Sequence, residues 1–265
     1  MRRPKQTSVG VDFAGGVEAV GSNVKRFKPG DEVFGARAGA FAEYVCIPDG
    51  KPILLKPANV TFEEAAAVPV AAVTALQALR DRGHVQAGQS VLINGAAGGV
   101  GTFAVQIAKS FGATVTAVCS TRNVDLVGEI GADEVIDYTK QDFTKGGQRY
   151  DLVIDIAGSR SWSECKRVLH PSSTFVIVGG PSRNRLLGPL HHSAAIGFAT
   201  VRVSQNVVPF LLAEIDTENL TFMQALLAAG KVKPVIDRTY PLNEAGEAVR
   251  YLEQGHARGK VVITV

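Results

Sequence analysis

Ala96, Gly98 and Gly101 stand at the spacing of a GxGxxG turn, with alanine in the first place. Such a turn does one kind of chemistry well. Gly98 and Gly99 put no Cβ between the backbone and an approaching diphosphate, and Gly101 lets a helix lie close to the strand before it. The unpaired N–H groups and the positive dipole end around Gly99 and Val100 attract a phosphate. A second set of groups follows at the distance where a dinucleotide's ribose is read. Sites that hold a ribose 2′-OH place a carboxylate about 20 residues on. Here the chain offers Ser120, Thr121, Arg122 and Asn123, with no carboxylate before Asp125. Hydroxyls and a guanidinium suit a 2′-phosphate, to which arginine can direct paired N–H donors. The expected cofactor is therefore NADPH. The plain alternative is a tight turn followed by a solvated surface arginine.

The turn carries weight only if a strand precedes it and a helix follows. Val91, Leu92 and Ile93 form the short apolar run of a strand buried on both faces. Val100, Phe103, Ala104, Ile107, Ala108 and Phe111 form one apolar helical stripe. Further on, strands are expected at Thr114–Cys119, Val135–Ile136, Tyr150–Ile156 and Thr174–Val178. Helices are expected at Val124–Ile130 and Trp162–Leu169. That alternation implies a parallel α/β sheet with crossover helices.

The flanks read differently. "VGVDFAGGVEAVG" and "AFAEYVCIP" read as strands around the turn signal "FKPGDEVFG". Thr61 and Glu64 have capping-box spacing, which starts a helix at Phe62 that Pro69 must break. Towards the end, Thr217–Ala229 reads as a helix, "KPVIDRTYPL" as a strand, Asn243 as the cap of another helix, and "GKVVITV" as a last strand.

The totals exclude several classes. With 28 basic and 25 acidic residues in 265, the net charge is +3, too near balance for a nucleic-acid binder. Cys46, Cys119 and Cys165 are scattered and form no CxxC pair, which reads as reduced thiols. The runs Ala65–Leu79 and Leu186–Val201 fall short of the roughly 20 apolar residues of a membrane span. "MRRPKQTS" leads into no apolar secretory segment. A soluble, cytoplasmic protein is expected.

Five stretches together resemble the medium-chain dehydrogenase/reductase superfamily: "GVDFAGGVEAVGSNVKRFKPGDEVFG", "NGAAGGVGTFAVQIAKSFGATVTAVCS", "GADEVIDY", "FVIVGG" and "GHARGKVVITV". Within it the chain is similar to the zinc-independent, zeta-crystallin-like quinone oxidoreductases and their enoyl-reductase relatives. The resemblance implies an α/β fold, a doubly wound Rossmann sheet plus a partial GroES-like β domain with the active site in the cleft. Residues 1–68 and 231–265 would form the β domain, and 69–230 the Rossmann domain. It implies hydride transfer to a quinone or an α,β-unsaturated carbonyl, and a homodimer. Gly98, Gly99 and Val100 match its diphosphate turn, and Ser120 a 2′-phosphate contact beside Arg122. Tyr138 matches a tyrosine over the adenosine phosphate end, with an ordinary half-buried aromatic as the equal alternative. Gly179 and Gly180 match the nicotinamide side. His256, Ala257 and Arg258 match a closing segment that reaches back to the cofactor.

Three departures qualify the match. Gly10, Val11 and Asp12 stand where zinc-dependent relatives carry Gly-His-Glu, and only Cys46 stands where others carry a cysteine cluster, so no metal is expected. His191–His192 has nothing nearby to complete a ligand set. Met1 almost adjoins the segment matching from Ser8, where the family has several earlier strands, so the β domain is expected to be incomplete. Ile156 replaces a polar residue in the stretch Asp155–Gly158. No catalytic acid is identified, and the apolar segment from Pro181 to Leu212 suggests a hydrophobic substrate. The alternatives are a chain that binds NADPH with impaired turnover, and a crystallin-like structural role, for which composition offers no support.

Overall fold

The structure is a computed structural model that describes residues 9–180, 204–209 and 213–265. The chain forms two compact units: residues 1–73 with 214–265, and residues 74–213.

The second unit is built on six parallel strands. They are β4 (Ser90–Asn94), β5 (Thr114–Cys119), β6 (Glu134–Asp137), β7 (Tyr150–Asp155), β8 (Leu169–Ile177) and β9 (Asn206–Pro209). Their order is β6-β5-β4-β7-β8-β9. The order reverses between β4 and β7, the place where doubly wound sheets open a crevice at the carboxyl ends of their strands. Val91, Leu92 and Ile93 are fully buried, as a central strand covered on both faces requires. Helix α3 (Gly99–Ser110) buries Phe103, Ala104 and Ile107 completely. A second cluster includes Val153, Trp162, Cys165 and Phe175. Trp162 meets Phe175 edge-on at 5.6 Å, a favoured aromatic geometry.

Polar pairs join β4 to β7 at both ends. Ser90 N and Oγ donate to Asp151 at 2.8 and 2.7 Å. Asn94 Nδ2 donates to Asp155 Oδ1 at 2.8 Å, and both residues are buried.

The first unit holds an antiparallel sheet of β1 (Asp12–Gly16), β2 (Glu32–Ala36) and β3 (Ile53–Leu55). It also holds a parallel pair, β10 (Ile236–Pro241) and β11 (Lys260–Thr264). Helix α1 (Phe62–Ala66) starts with the expected capping box: Glu64 N donates to Thr61 Oγ1, and Thr61 N to Glu64 Oε2. Pro69 opens α2 (Pro69–Gln77), since a proline is tolerated in a helix's first turn but not inside it. Asp12 accepts from Val70 N at 3.0 Å and from Lys260 Nζ at 3.2 Å, joining β1, α2 and β11. Among the described residues no helix is long and apolar enough to cross a membrane.

The structure corrects several expectations. Residues 40–48 form no strand, because their backbone finds no ladder partner among the described residues. Strand β3 was not expected. The helix from Trp162 ends at Cys165 (α5), tightens into a 3-10 turn over Lys166–Val168, and gives way to β8 at Leu169. A register shift between Tyr150 and Leu152 accommodates Pro171, and Ser173 Oγ donates to Tyr150 O across it. Asn243 caps nothing: it lies inside a 3-10 turn, Leu242–Glu244, that runs straight into α7 (Ala245–Glu253). The units divide at 73/74 and 213/214 rather than 68/69 and 230/231. Helix α6 (Thr217–Ala228) belongs with the first unit because Gln224 Nε2 donates to Leu55 O and Asn59 Nδ2 to Leu227 O.

Candidate cofactor site

The turn after β4 is tight because its first residue adopts a conformation that suits glycine. Gly95 has φ +93°, and its N–H and that of Ala96 both donate to Val118 O. Gly95 thus bends the chain tightly, with a left-handed backbone, immediately before Ala96, the first place of the Ala96–Gly98–Gly101 spacing. Gly101 serves close packing: a Cβ there would press into Gly95 O and lie 2.7 Å from Ala96 C and Cα. Gly98 differs. Its φ of −83° and ψ of 177° suit any residue, and an added Cβ would meet only Gly95 O at an ordinary 3.6 Å. Among the described residues nothing stands in the way of a Cβ at Gly98.

Gly98 is also the N-cap of α3, a helix of 12 residues. No side chain caps it, and its first turn holds no acidic residue. The first N–H groups of a helix have no intrahelical partner. The N-terminus of α3 thus combines unspent donors, a positive dipole end and a missing side chain. That fits a diphosphate, the central group of a dinucleotide.

Ser120, Arg122 and Tyr138 gather at the neighbouring strand ends. Cys119 pairs with Asp137 across β5 and β6, and Tyr138 N donates to Cys119 O. Ser120 opens a 3-10 turn over Thr121–Asn123 and accepts from Asn123 Nδ2. Helix α4 (Val124–Glu129) follows. Arg122 is exposed, and Tyr138 is 54% exposed. Asp137 was missed at this place: its carboxylate sits 2.6 Å from Thr121 Oγ1. Sixteen residues separate the two in sequence, so only the parallel pairing of β5 with β6 could have revealed it. The hydroxyl and amide donors around Asp137, Thr121 foremost, hold its carboxyl far below the ordinary range. Burial and the Asp137 carboxylate push the Cys119 thiol up to about 11.

Gly179 and Gly180 follow β8. Val178 N and Gly179 N donate to Asp155 O, and a Cβ on Gly179 would press into Ile156 O. The segment Ile156–Ser159 is held in turn. Gly158 N donates to Asp155 Oδ1, Asn94 Nδ2 donates to Ser159 Oγ, and Ala157 lies against Gly95. His256, Ala257 and Arg258 belong to the first unit, between α7 and β11. There Asp237 Oδ2 accepts from Arg258 N at 2.9 Å and from Tyr251 Oη at 2.6 Å.

Asp12, in the Glu place of the zinc motif, is engaged by Val70 and Lys260. Burial, opposed by Lys260, raises its carboxyl above the ordinary value. Among the described residues no group of three His, Cys, Asp or Glu is placed to hold a metal ion. His191–His192, and the 181–212 segment apart from 204–209, lie outside the described residues.

Comparison with known proteins agrees with this architecture. A family model described as zinc-binding dehydrogenase matches residues 130–263, and an alcohol dehydrogenase GroES-like domain matches 1–58. The mitochondrial NAD(P)H oxidoreductase RTN4IP1 of Mus musculus is 36% identical over 97% of this chain and 70% of its own length. The chloroplast envelope quinone oxidoreductase homolog of Arabidopsis thaliana is 36% identical over 95% of this chain and 78% of its own. The 2-methylene-furan-3-one reductase of Solanum lycopersicum is 38% identical over 98% and 64%. Among solved structures, the Escherichia coli quinone oxidoreductase complexed with NADPH superposes with a TM-score of 0.82 at 28% identity, covering 99% of this chain and 84% of that one. The expected cytoplasmic location is overturned: the Mus musculus and Arabidopsis relatives are mitochondrial and chloroplast proteins. That expectation rested on the lack of an apolar secretory segment and of a membrane-length apolar run, and neither speaks to basic, acid-poor transit peptides. With its Rossmann sheet, GroES-like sheet and glycine turn, the chain belongs to the zinc-independent quinone oxidoreductase branch of the medium-chain dehydrogenase/reductase superfamily and is an oxidoreductase.

Proposed function

We propose that the chain is an NADPH-dependent reductase that delivers hydride to a quinone without a metal ion. The uncapped α3 N-terminus behind Gly98 carries the cofactor half of this reading: the site forgoes a Cβ that no described neighbour opposes. Gly98, Gly99 and Val100 hold the diphosphate through backbone N–H groups. Ser120 and Arg122 take the 2′-phosphate, Arg122 through its planar donor fork, and Tyr138 covers the adenosine phosphate end. Gly179, packed on Ile156 O, and Gly180 border the nicotinamide side. The bound cofactor supplies the hydride, while the protein orients it and shapes the electrostatics around it.

The metal-free part rests on the residues present. Val11 has no donor atom, and Asp12 is already engaged by Val70 N and Lys260. The names of the Arabidopsis and Escherichia relatives support a quinone as acceptor. The tomato relative's name supports a second reading, an α,β-unsaturated ketone. Binding of NADPH and NADH by calorimetry, followed by turnover on matched quinone and enone panels, tests the proposal. Binding without turnover on either panel would leave a cofactor-binding protein with impaired catalysis. Tighter binding of NADH would remove the cofactor assignment.

A further inference from the structure

Asp137 lies between the two loops that carry Ser120, Arg122 and Tyr138, and its acceptor capacity is committed. Oδ1 accepts from Thr139 N at 3.0 Å and from Thr139 Oγ1 at 2.7 Å. Oδ2 accepts from Thr121 Oγ1 at 2.6 Å and pairs with Lys140 Nζ at 3.3 Å. Thr121 and Thr139 hydroxyls lie 2.9 Å apart. An ionised carboxylate offers roughly four lone-pair sites, and four donors address this one. It is therefore not placed as the ribose-holding carboxylate of an NAD site, although it stands where one could be supplied from the neighbouring strand.

What the carboxylate does is tie the end of β5 to the end of β6. Thr121 immediately precedes Arg122 and follows Ser120. Thr139 immediately follows Tyr138. Resting on the proposed 2′-phosphate reading, we propose that Asp137 is a positioning residue for cofactor choice. Bonded to Thr121 and Thr139, it fixes the Ser120–Arg122 turn relative to Tyr138, so that hydroxyl, guanidinium and aromatic ring meet one phosphorylated ribose. The same bonds withhold a free carboxylate from that ribose, where it would repel a 2′-phosphate and attract a 2′-OH.

Thr121 and Thr139 are exposed, so the clamp can be cut at Thr121 without opening a core, while the Asp137 side chain is largely covered. The test is calorimetric binding of NADPH and NADH to the wild type, Thr121→Val, Thr121→Ser, Asp137→Ala and Arg122→Ala, with thermal unfolding as the control for folding. Thr121→Val removes the cross-link and keeps the shape. It is expected to weaken NADPH about tenfold while NADH changes by less than about twofold. Thr121→Ser keeps the hydroxyl and is expected to restore wild-type values. Adding Asp137→Ala to Thr121→Val is expected to cause no further loss through the shared bond, as coupled residues do in a double-mutant cycle. Equal weakening of both cofactors, or an unchanged NADPH affinity in Thr121→Val, overturns the inference. If Arg122→Ala selectively weakens NADPH and Thr121→Val does not, the clamp alone is wrong. If neither variant distinguishes the cofactors, the 2′-phosphate reading falls and the clamp with it.

Discussion

Gly98 and Gly101 stand three residues apart in one turn, yet substitution by alanine should separate stability from binding. At Gly101 the new Cβ would press into Gly95 O and lie 2.7 Å from Ala96 C and Cα, all backbone atoms that cannot swing aside. Overpacking of this kind costs about 1–3 kcal/mol, and at roughly 2–4 °C per kcal/mol for a chain of this size Tm should fall by about 2–12 °C. At Gly98 the Cβ would meet Gly95 O at 3.6 Å, and φ −83°, ψ 177° suits alanine. The reduced freedom of the unfolded chain favours alanine by about 0.4–1 kcal/mol, and the poorer N-cap opposes it by a similar amount, so Tm should hardly move. Binding should respond in the opposite sense. A methyl group at Gly98 stands where the diphosphate meets the backbone N–H groups. Losing one hydrogen bond to a charged group costs about 1.5–3 kcal/mol, which weakens NADPH roughly ten- to hundredfold. Calorimetric Kd and thermal unfolding on both variants decide the matter. A Gly98→Ala protein with wild-type NADPH affinity would show that no diphosphate rests on this turn.

Arg122→Ala should weaken NADPH by about tenfold or more and leave NADH nearly unchanged, because only NADPH carries the 2′-phosphate; parallel Kd measurements check it. Phe175→Ala, at a fully buried position packed edge-on against Trp162, should lower unfolding free energy by about 3–5 kcal/mol in urea titration. Thiol titration of the native protein should label Cys46 alone, since Cys119 and Cys165 are buried and their thiols are pushed up, Cys119 to about 11; denaturation should expose all three. Ser90 N–H and its hydroxyl lower the Asp151 carboxyl below its ordinary 3.8. A lowered carboxyl contributes stability above the unfolded value and loses it as pH falls through the folded one. Asp151→Asn should therefore shrink the drop in Tm between about pH 5 and pH 3.

Local pattern made much of the cofactor unit legible. Val91–Ile93, the stripe from Val100 to Phe111 and the Thr61–Glu64 box each need only a few neighbouring residues, and each formed as expected. What escaped depends on contacts distant in sequence. Asp137 reaches Thr121 only because β5 and β6 lie side by side. Strand β3 is three residues long and exists because β2 offers it a partner. Residues 40–48 alternate like a strand, but they find no ladder partner among the described residues, and alternation alone makes no ladder. The periodicity of 217–228 announces a helix but cannot say which unit will bury it; Leu55 and Asn59 decide that.

The two polar pairs joining β4 to β7 bear on how the central sheet assembles. "SVLIN" and "YDLVID" are interior runs of Val, Leu and Ile, and one apolar side chain serves nearly as well as the next against a covering helix. Grease alone would tolerate a slipped alignment. Ser90 with Asp151, and Asn94 with Asp155, are each 61 residues apart and close the strands at opposite ends. A slip of even one position separates both pairs at once and leaves Asn94 and Asp155 buried without each other, a penalty that apolar contacts elsewhere cannot recover. They act as a two-pin key: an alignment that separates them gives up hydrogen bonds to two carboxylates, Asp151 and Asp155, at once.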